Sequence, residues 1–179
     1  GFIDTLVMHN GTLYAIVSGK VYRVKPDKEP ELLLDADLFT SSFAHGEGRL
    51  YFGQSELSCV DLDSMTVRWT KSPNGQIQTT RITDQGLFIG TETGFVARVN
   101  LETGEKIWEE RANTSVYTLG ITPEFVWVPD GELLRAFRVA DGEEVYQSNT
   151  NAASIATIDN TLCYRNGSET VFLQNVTPK

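Results

Sequence analysis

The stretch GLFIGTETGFVARVNLETGEKIW, residues 86–108, decides the fold. It contains the apolar-rich runs GLFIGT, FVARV and KIW, parted by the turn formers Thr-Gly at 93–94 and 103–104. Short runs of this kind, bounded by Gly and hydroxyl residues, are strands joined by hairpins. The same signature recurs on both sides: GTLYAIV begins at 11, GRLYFGQ at 48, EFVWVPD at 124 and NTLCYRN at 160. The anchors Leu13, Leu50, Leu87, Val126 and Leu162 are spaced 37, 37, 39 and 36 residues apart. A fixed period of this length marks a repeat architecture.

Counting back eight from each anchor lands on Thr5, Ser42, Thr79, Thr118 and Ser154, a small hydroxyl side chain in all five units. Counting forward reaches Val24, Val60, Val99, Phe137 and Leu173, and nine beyond the first four lie Leu33, Trp69, Trp108 and Tyr146. Each unit therefore holds four strand centres in an antiparallel meander. The turns between them carry Asn10-Gly11, Glu47-Gly48, Gln85-Gly86, Thr103-Gly104 and Asp141-Gly142. No window shows a sustained helical stripe, and PELLLDADLF (30–39) reads as an outer strand and a connection.

A four-stranded sheet repeated at this period cannot bury both faces alone. Stacking successive sheets around an axis solves that problem, so the expected fold is an all-β propeller. Its five units span 2–37, 38–73, 74–111, 112–149 and 150–179 in one domain, the fifth lacking an outer strand. The first strand supports this. One face is small (Thr5, Val7; Ser42, Ala44; Thr118, Gly120; Ser154, Ala156) and the other bulky (Leu6, Met8; Phe43; Leu119, Ile121; Ile155). Two arrangements remain open: a small closed five-bladed ring, or an arc of a larger ring completed by other copies or by further sequence.

Charge narrows the partners. The 179 residues hold 24 Asp plus Glu against 15 Lys plus Arg, a net charge of −9, which opposes binding to a phosphate backbone or an anionic membrane. No apolar run is long enough for a bilayer span, and GFIDTLVMHNG lacks the features of a signal peptide. The absent initiator Met fits a processed or excised piece of a longer product. Cys59 and Cys163 are too few for a disulfide scaffold or a Cys-rich metal site. The triplets beginning at Asn10, Asn113, Asn166 and Asn175 are expected by chance in a chain rich in turn residues.

The third unit resembles the repeat of the pyrroloquinoline-quinone-like (PQQ-like) propellers, in which a strand leads through a Thr-Gly turn to an outer-strand Trp. The second unit, LSCVDLDSMTVRW (57–69), and the fourth, LLRAFRVADGEEVY (133–146), match more loosely, with Met65 in place of the Gly and Tyr146 in place of the Trp. The family includes quinoprotein dehydrogenases, an outer-membrane assembly lipoprotein and sensor domains of membrane kinases. The resemblance implies an extracytoplasmic location. It implies no enzyme here, because the calcium, quinone and vicinal-Cys constellation of the dehydrogenases matches no residues of this chain. No cofactor or metal is expected.

Trp69, Trp108 and Trp127 are expected to be core residues. His9 and His45 are expected to flank turns on one rim, without a carboxylate in register. Asp61, Asp63 and Asp141 read as solvated turn carboxylates rather than a calcium cage. The hydroxyls of Thr5, Ser42, Thr79, Thr118 and Ser154 fall on the axial strand with Arg81, the one long cation there, as a speculative ligand set. The edge Val171, Phe172 and Leu173 is a speculative site for strand addition. The expected function is a non-catalytic scaffold binding a protein or peptide through blade-end loops or this edge, with self-association as a route to ring completion. The alternative is a small-ligand, quinoprotein or carbohydrate-type propeller with an axial site.

Overall fold

The computed structural model describes residues 3–35, 42–158 and 160–174. The first sheet comprises β1 (Thr5–His9), β2 (Thr12–Val17), β3 (Lys20–Val24) and β4 (Glu31–Asp35). The second holds β5 (Ser42–Gly46), β6 (Arg49–Gly53), β7 (Leu57–Asp61) and β8 (Thr66–Lys71). The third holds β9 (Ile77–Thr83), β10 (Gly86–Thr91), β11 (Phe95–Val99) and β12 (Lys106–Arg111). The fourth holds β13 (Gly120–Ile121), β14 (Phe125–Asp130), β15 (Leu133–Arg138) and β16 (Glu144–Ser148). The fifth has three strands among the described residues: β17 (Ala152–Ile158), β18 (Thr161–Asn166) and β19 (Glu169–Gln174).

Every strand pairs antiparallel with its sequence neighbour, as the repeat predicts. The first hairpins of the first two sheets turn through Asn10-Gly11 (φ 46° and 71°) and Glu47-Gly48 (φ 52° and 72°), the mirror-image turns that match strand twist. Each four-stranded sheet carries a register shift in its outer strand pair. In the second, third and fourth sheets it falls at the same repeat position, at Val60, Val99 and Phe137, which adds twist where the outer strand leaves the axis.

The second strands explain the stacking. Each places an aliphatic residue on one face and, in the first four sheets, an aromatic one on the other. Tyr14 of the first sheet shares a core with Leu50 of the second, and Tyr51 of the second with Leu87 of the third. Phe88 then meets Val126, and Trp127 meets Leu162. Four such cores join consecutive sheets, and each buries several large side chains worth roughly 1.5–3 kcal/mol apiece. The bulky face of each first strand points the same way. Phe43, Ile82, Leu119 with Ile121, and Ile155 all enter the core shared with the preceding sheet.

By that rule Leu6 and Met8 stand on the face that in the later sheets meets the preceding sheet. They are 52% and 62% exposed, and among the described residues no buried cluster joins the first and fifth sheets. The fifth sheet differs on its own outward face, where Cys163 opposite Phe172 occupies the position held elsewhere by an aromatic.

First strands converge while outer strands diverge. β5 packs against β9, and β13 and β14 against β17. Ser42 Oγ lies 2.8 Å from Thr80 Oγ1, and Ile121 N–H donates to Thr157 Oγ1 at 3.0 Å. The fourth sheet departs from expectation, since its first strand is only two residues long and Thr118 lies outside it. The cause is a competing attachment. Val116 is fully buried against the third sheet, its N–H donating to Thr91 O at 2.9 Å, while Ser115 Oγ donates to Glu92 O at 2.5 Å. Residues 115–116 are thus committed to the neighbouring sheet and cannot pair with β14. No helix among the described residues is long and apolar enough to cross a membrane.

Candidate functional site

The five axial hydroxyls take different roles. Thr79 is buried, Ser42 is bonded to Thr80, and Thr118 Oγ1 donates to Ile155 O at 3.4 Å. Thr5 is half-buried and Ser154 is exposed. Thr118 lines a cavity of about 290 Å³ with Tyr117, Pro129 and Ala152, whereas Arg81 lines a separate one of about 380 Å³.

Arg81 stands on β9 opposite Phe88, with Nη1 donating to Thr80 O at 3.1 Å. Its cavity is bounded by Ile82 and Thr83 of the third sheet, Leu119 and Ile121 of the fourth, and Ile155, Ala156 and Thr157 of the fifth.

The edge predicted at Val171, Phe172 and Leu173 lies on β19. This strand pairs with β18, and no strand among the described residues pairs with its other side. Leu173 packs into the core with the fourth sheet, while Phe172 is 68% exposed.

One rim pair escaped sequence reasoning. His9 has a carboxylate partner after all: its Nε2 lies 2.9 Å from Asp63 Oδ1 in the next sheet's turn, and Asn10 Nδ2 donates to the same oxygen at 3.3 Å. The residues are 54 positions apart, and only the stacking of adjacent sheets brings them together. Asp61 is a turn acceptor for the Ser64 N–H and hydroxyl and the Asp63 N–H, which hold its carboxyl below the ordinary range. Asp141 accepts from Glu143 N–H and from Arg138, with the same effect. Among the described residues no three His, Cys, Asp or Glu side chains gather as a metal group would require.

Cys59 is fully buried, and burial pushes its thiol up to about 11, leaving little thiolate at neutral pH. Burial likewise pushes Tyr51 up to about 12. The acidic outer turns are largely paired across sheets. Glu102 meets Arg49 at 2.6 Å and Arg68 at 3.4 Å, and Glu105 meets Lys71.

Five meander sheets stacked face to face, with their first strands drawn to a common side, define a β-propeller. The chain belongs to the family described as outer membrane protein assembly factor BamB, whose profile matches residues 9–175. No sequence relative emerges among curated proteins. Solved structures share the fold at low identity. The computationally designed Ika8 protein superposes with a TM-score of 0.79 at 10% identity over 96% of this chain and 58% of its own. BamB from Moraxella catarrhalis gives 0.75 at 12% identity over 98% and 62%, and the Pan2 WD40 domain of Neurospora crassa 0.72 at 11% over 92% and 58%. The chain thus spans about three fifths of these larger propellers.

Proposed function

We propose that this protein is a non-catalytic interaction module that receives an extended segment of a protein partner along the open edge of β19. The observation that carries this reading is the edge itself. Four sheets have a fourth strand on this side and the fifth, among the described residues, has none. An unpaired row of N–H and C=O groups beside an exposed Phe172 offers main-chain bonds for affinity and a side-chain contact for selectivity. Membership of a family named for outer membrane protein assembly supports a protein partner and an extracytoplasmic location.

A peptide of residues 105–112, which contains the outer strand β12, is a suitable probe of strand addition. Hydrogen exchange should slow at alternate amides of β19 when the peptide is present. Because successive N–H groups point to opposite sides, one of Val171→Pro and Phe172→Pro blocks the outward row. That variant should lose binding while keeping its β-sheet circular dichroism. Absence of binding at millimolar peptide, or binding without protection of β19, overturns the edge reading.

A second reading is favoured by the exposed face of the first sheet, where Leu6 and Met8 stand with Leu32. In that reading another copy of the chain packs on this face and extends the ring.

A further inference from the structure

We infer that the cavity at Arg81 is a binding site for a carboxylate bearing a short branched aliphatic group. This is independent of the β19 edge, which lies at the outer side of the fifth sheet.

In a chain of net charge −9, most arginines have acidic or carbonyl partners. Arg49, Arg68, Arg135 and Arg138 are ion-paired, and Arg98 donates to Gln85 O and Val139 O. Arg81 is exposed and meets no carboxylate among the described residues; its one hydrogen bond there uses a single N–H of Nη1. The rest of the planar fork is open to an anion, and a carboxylate matches its two-point geometry.

The walls supply the remaining chemistry. Thr83 Oγ1 accepts from Gln85 N–H at 3.1 Å and Thr157 Oγ1 accepts from Ile121 N–H at 3.0 Å, so each hydroxyl proton is left to donate to a ligand oxygen. Leu119, Ile121 and Ile155 form the apolar side. One cation, two hydroxyl donors and an aliphatic wall suit a monoanion with a hydrocarbon tail better than a phosphate, which calls for more positive charge. The volume of about 380 Å³ falls within the range of small-molecule pockets. The site is assembled where the third, fourth and fifth sheets come together, so that no single repeat supplies it.

Two sources carry this chemistry: a free branched-chain acid, or the C-terminal residue of a peptide. Calorimetry with 4-methylpentanoate, with N-acetyl-Ala-Ala-Leu and with the C-terminal amide of that peptide separates them. Both acids should bind and the amide should bind at least about tenfold more weakly, as should both acids to Arg81→Gln. Ile121→Ser should weaken the branched acids but leave acetate unchanged. Equal affinity for the two acids assigns a small-molecule site, whereas a tenfold preference for the peptide assigns a C-terminus. No heat from either acid at millimolar concentration, equal binding of the amide, or full binding by Arg81→Gln overturns the proposal.

Discussion

The indole of Trp69 lies directly against the backbone of Gly104 in the next sheet: a Cβ on Gly104 would stand 2.6 Å from Cε3 of the ring. Trp69 Nε1 donates to Leu101 O, three residues earlier in the same turn, at 3.1 Å. The arrangement repeats one sheet on, where a Cβ on Gly142 would stand 2.9 Å from Cδ2 of Trp108, whose Nε1 donates to Val139 O at 2.8 Å. The outer Trp of one sheet is therefore a lock whose seat is the turn Gly of the next. Between the first and second sheets both halves change together. Leu33 replaces the Trp and Met65 replaces the Gly, and the two share the apolar core there.

Gly104→Ala should destabilise the protein by about 2–4 kcal/mol. The residue sits at φ 72°, where a side chain is strained, and the added methyl has no room beneath the ring. The swap Trp69→Leu with Gly104→Met imitates the pairing of the first two sheets. It should cost less than the sum of its single changes by about 1 kcal/mol or more, measured by urea unfolding as a double-mutant cycle. Strict additivity would mean that ring and turn do not act as a unit.

A buried carboxylate should make stability depend on acid. Asp130 has a fully buried side chain that accepts from the N–H groups of Asn113 and Thr114, the Thr114 hydroxyl and Arg135 Nη1 at 2.8–3.0 Å. Burial pushes its pKa up, but the bonds from Asn113, Arg135 and Thr114 outweigh that and hold it below the ordinary value of 3.8. A depressed folded-state pKa gives stability that is complete above the unfolded value and is lost as pH falls through the folded one. Asp130→Asn should cost about 3 kcal/mol at neutral pH by leaving Arg135 and the loop donors without their acceptor. The gap between variant and wild type should close below about pH 4 in acid titrations of thermal unfolding.

Much of the fold was legible because a period of about 37 residues needs no tertiary information. The anchors Leu50, Leu87, Val126 and Leu162 fall in the cores between sheets, and Trp69, Trp108 and Trp127 are buried. What failed to show depends on contacts between units. The His9–Asp63 pair spans two sheets, and the truncation of β13 follows from Val116 choosing the third sheet over its own. Nothing in the local pattern of the fourth unit announces that choice. Its cause lies one repeat earlier, at Gly90, which has no side chain to exclude Val116. Arg81 was visible as the lone long cation of an axial strand, but the cavity beside it is lined from three sheets and so was hidden with the other contacts between units.

The Gly90–Val116 contact is itself testable. A Cβ on Gly90 would lie 2.5 Å from Val116 Cγ1 and 2.9 Å from Thr79 Cγ2. Gly90→Ala should therefore cost about 1–3 kcal/mol and free residues 113–119, whose amides should exchange faster. Adding Val116→Ala should recover part of the loss by removing the group struck. If the two changes are instead fully additive in denaturant unfolding, the segment is held by its hydrogen bonds alone.

The exposed face of the first sheet bears on how the ring is completed. Leu6 occupies the position of Phe43 and Leu119, and Met8 that of Ile82 and Ile121, all of which pack against a preceding sheet, yet Leu6 and Met8 stand in solvent beside Leu32. An apolar face of this size is a liability unless it is covered. If a second copy covers it, sedimentation should show association that rises with protein concentration in the micromolar range. Leu6→Gln with Met8→Gln should abolish that association and leave the thermal midpoint equal to that of the wild type at concentrations where the wild type is dissociated, since both side chains contribute little burial within one chain. A wild type that stays monomeric throughout, or a double variant that associates equally well, would rule out this face as the contact between copies.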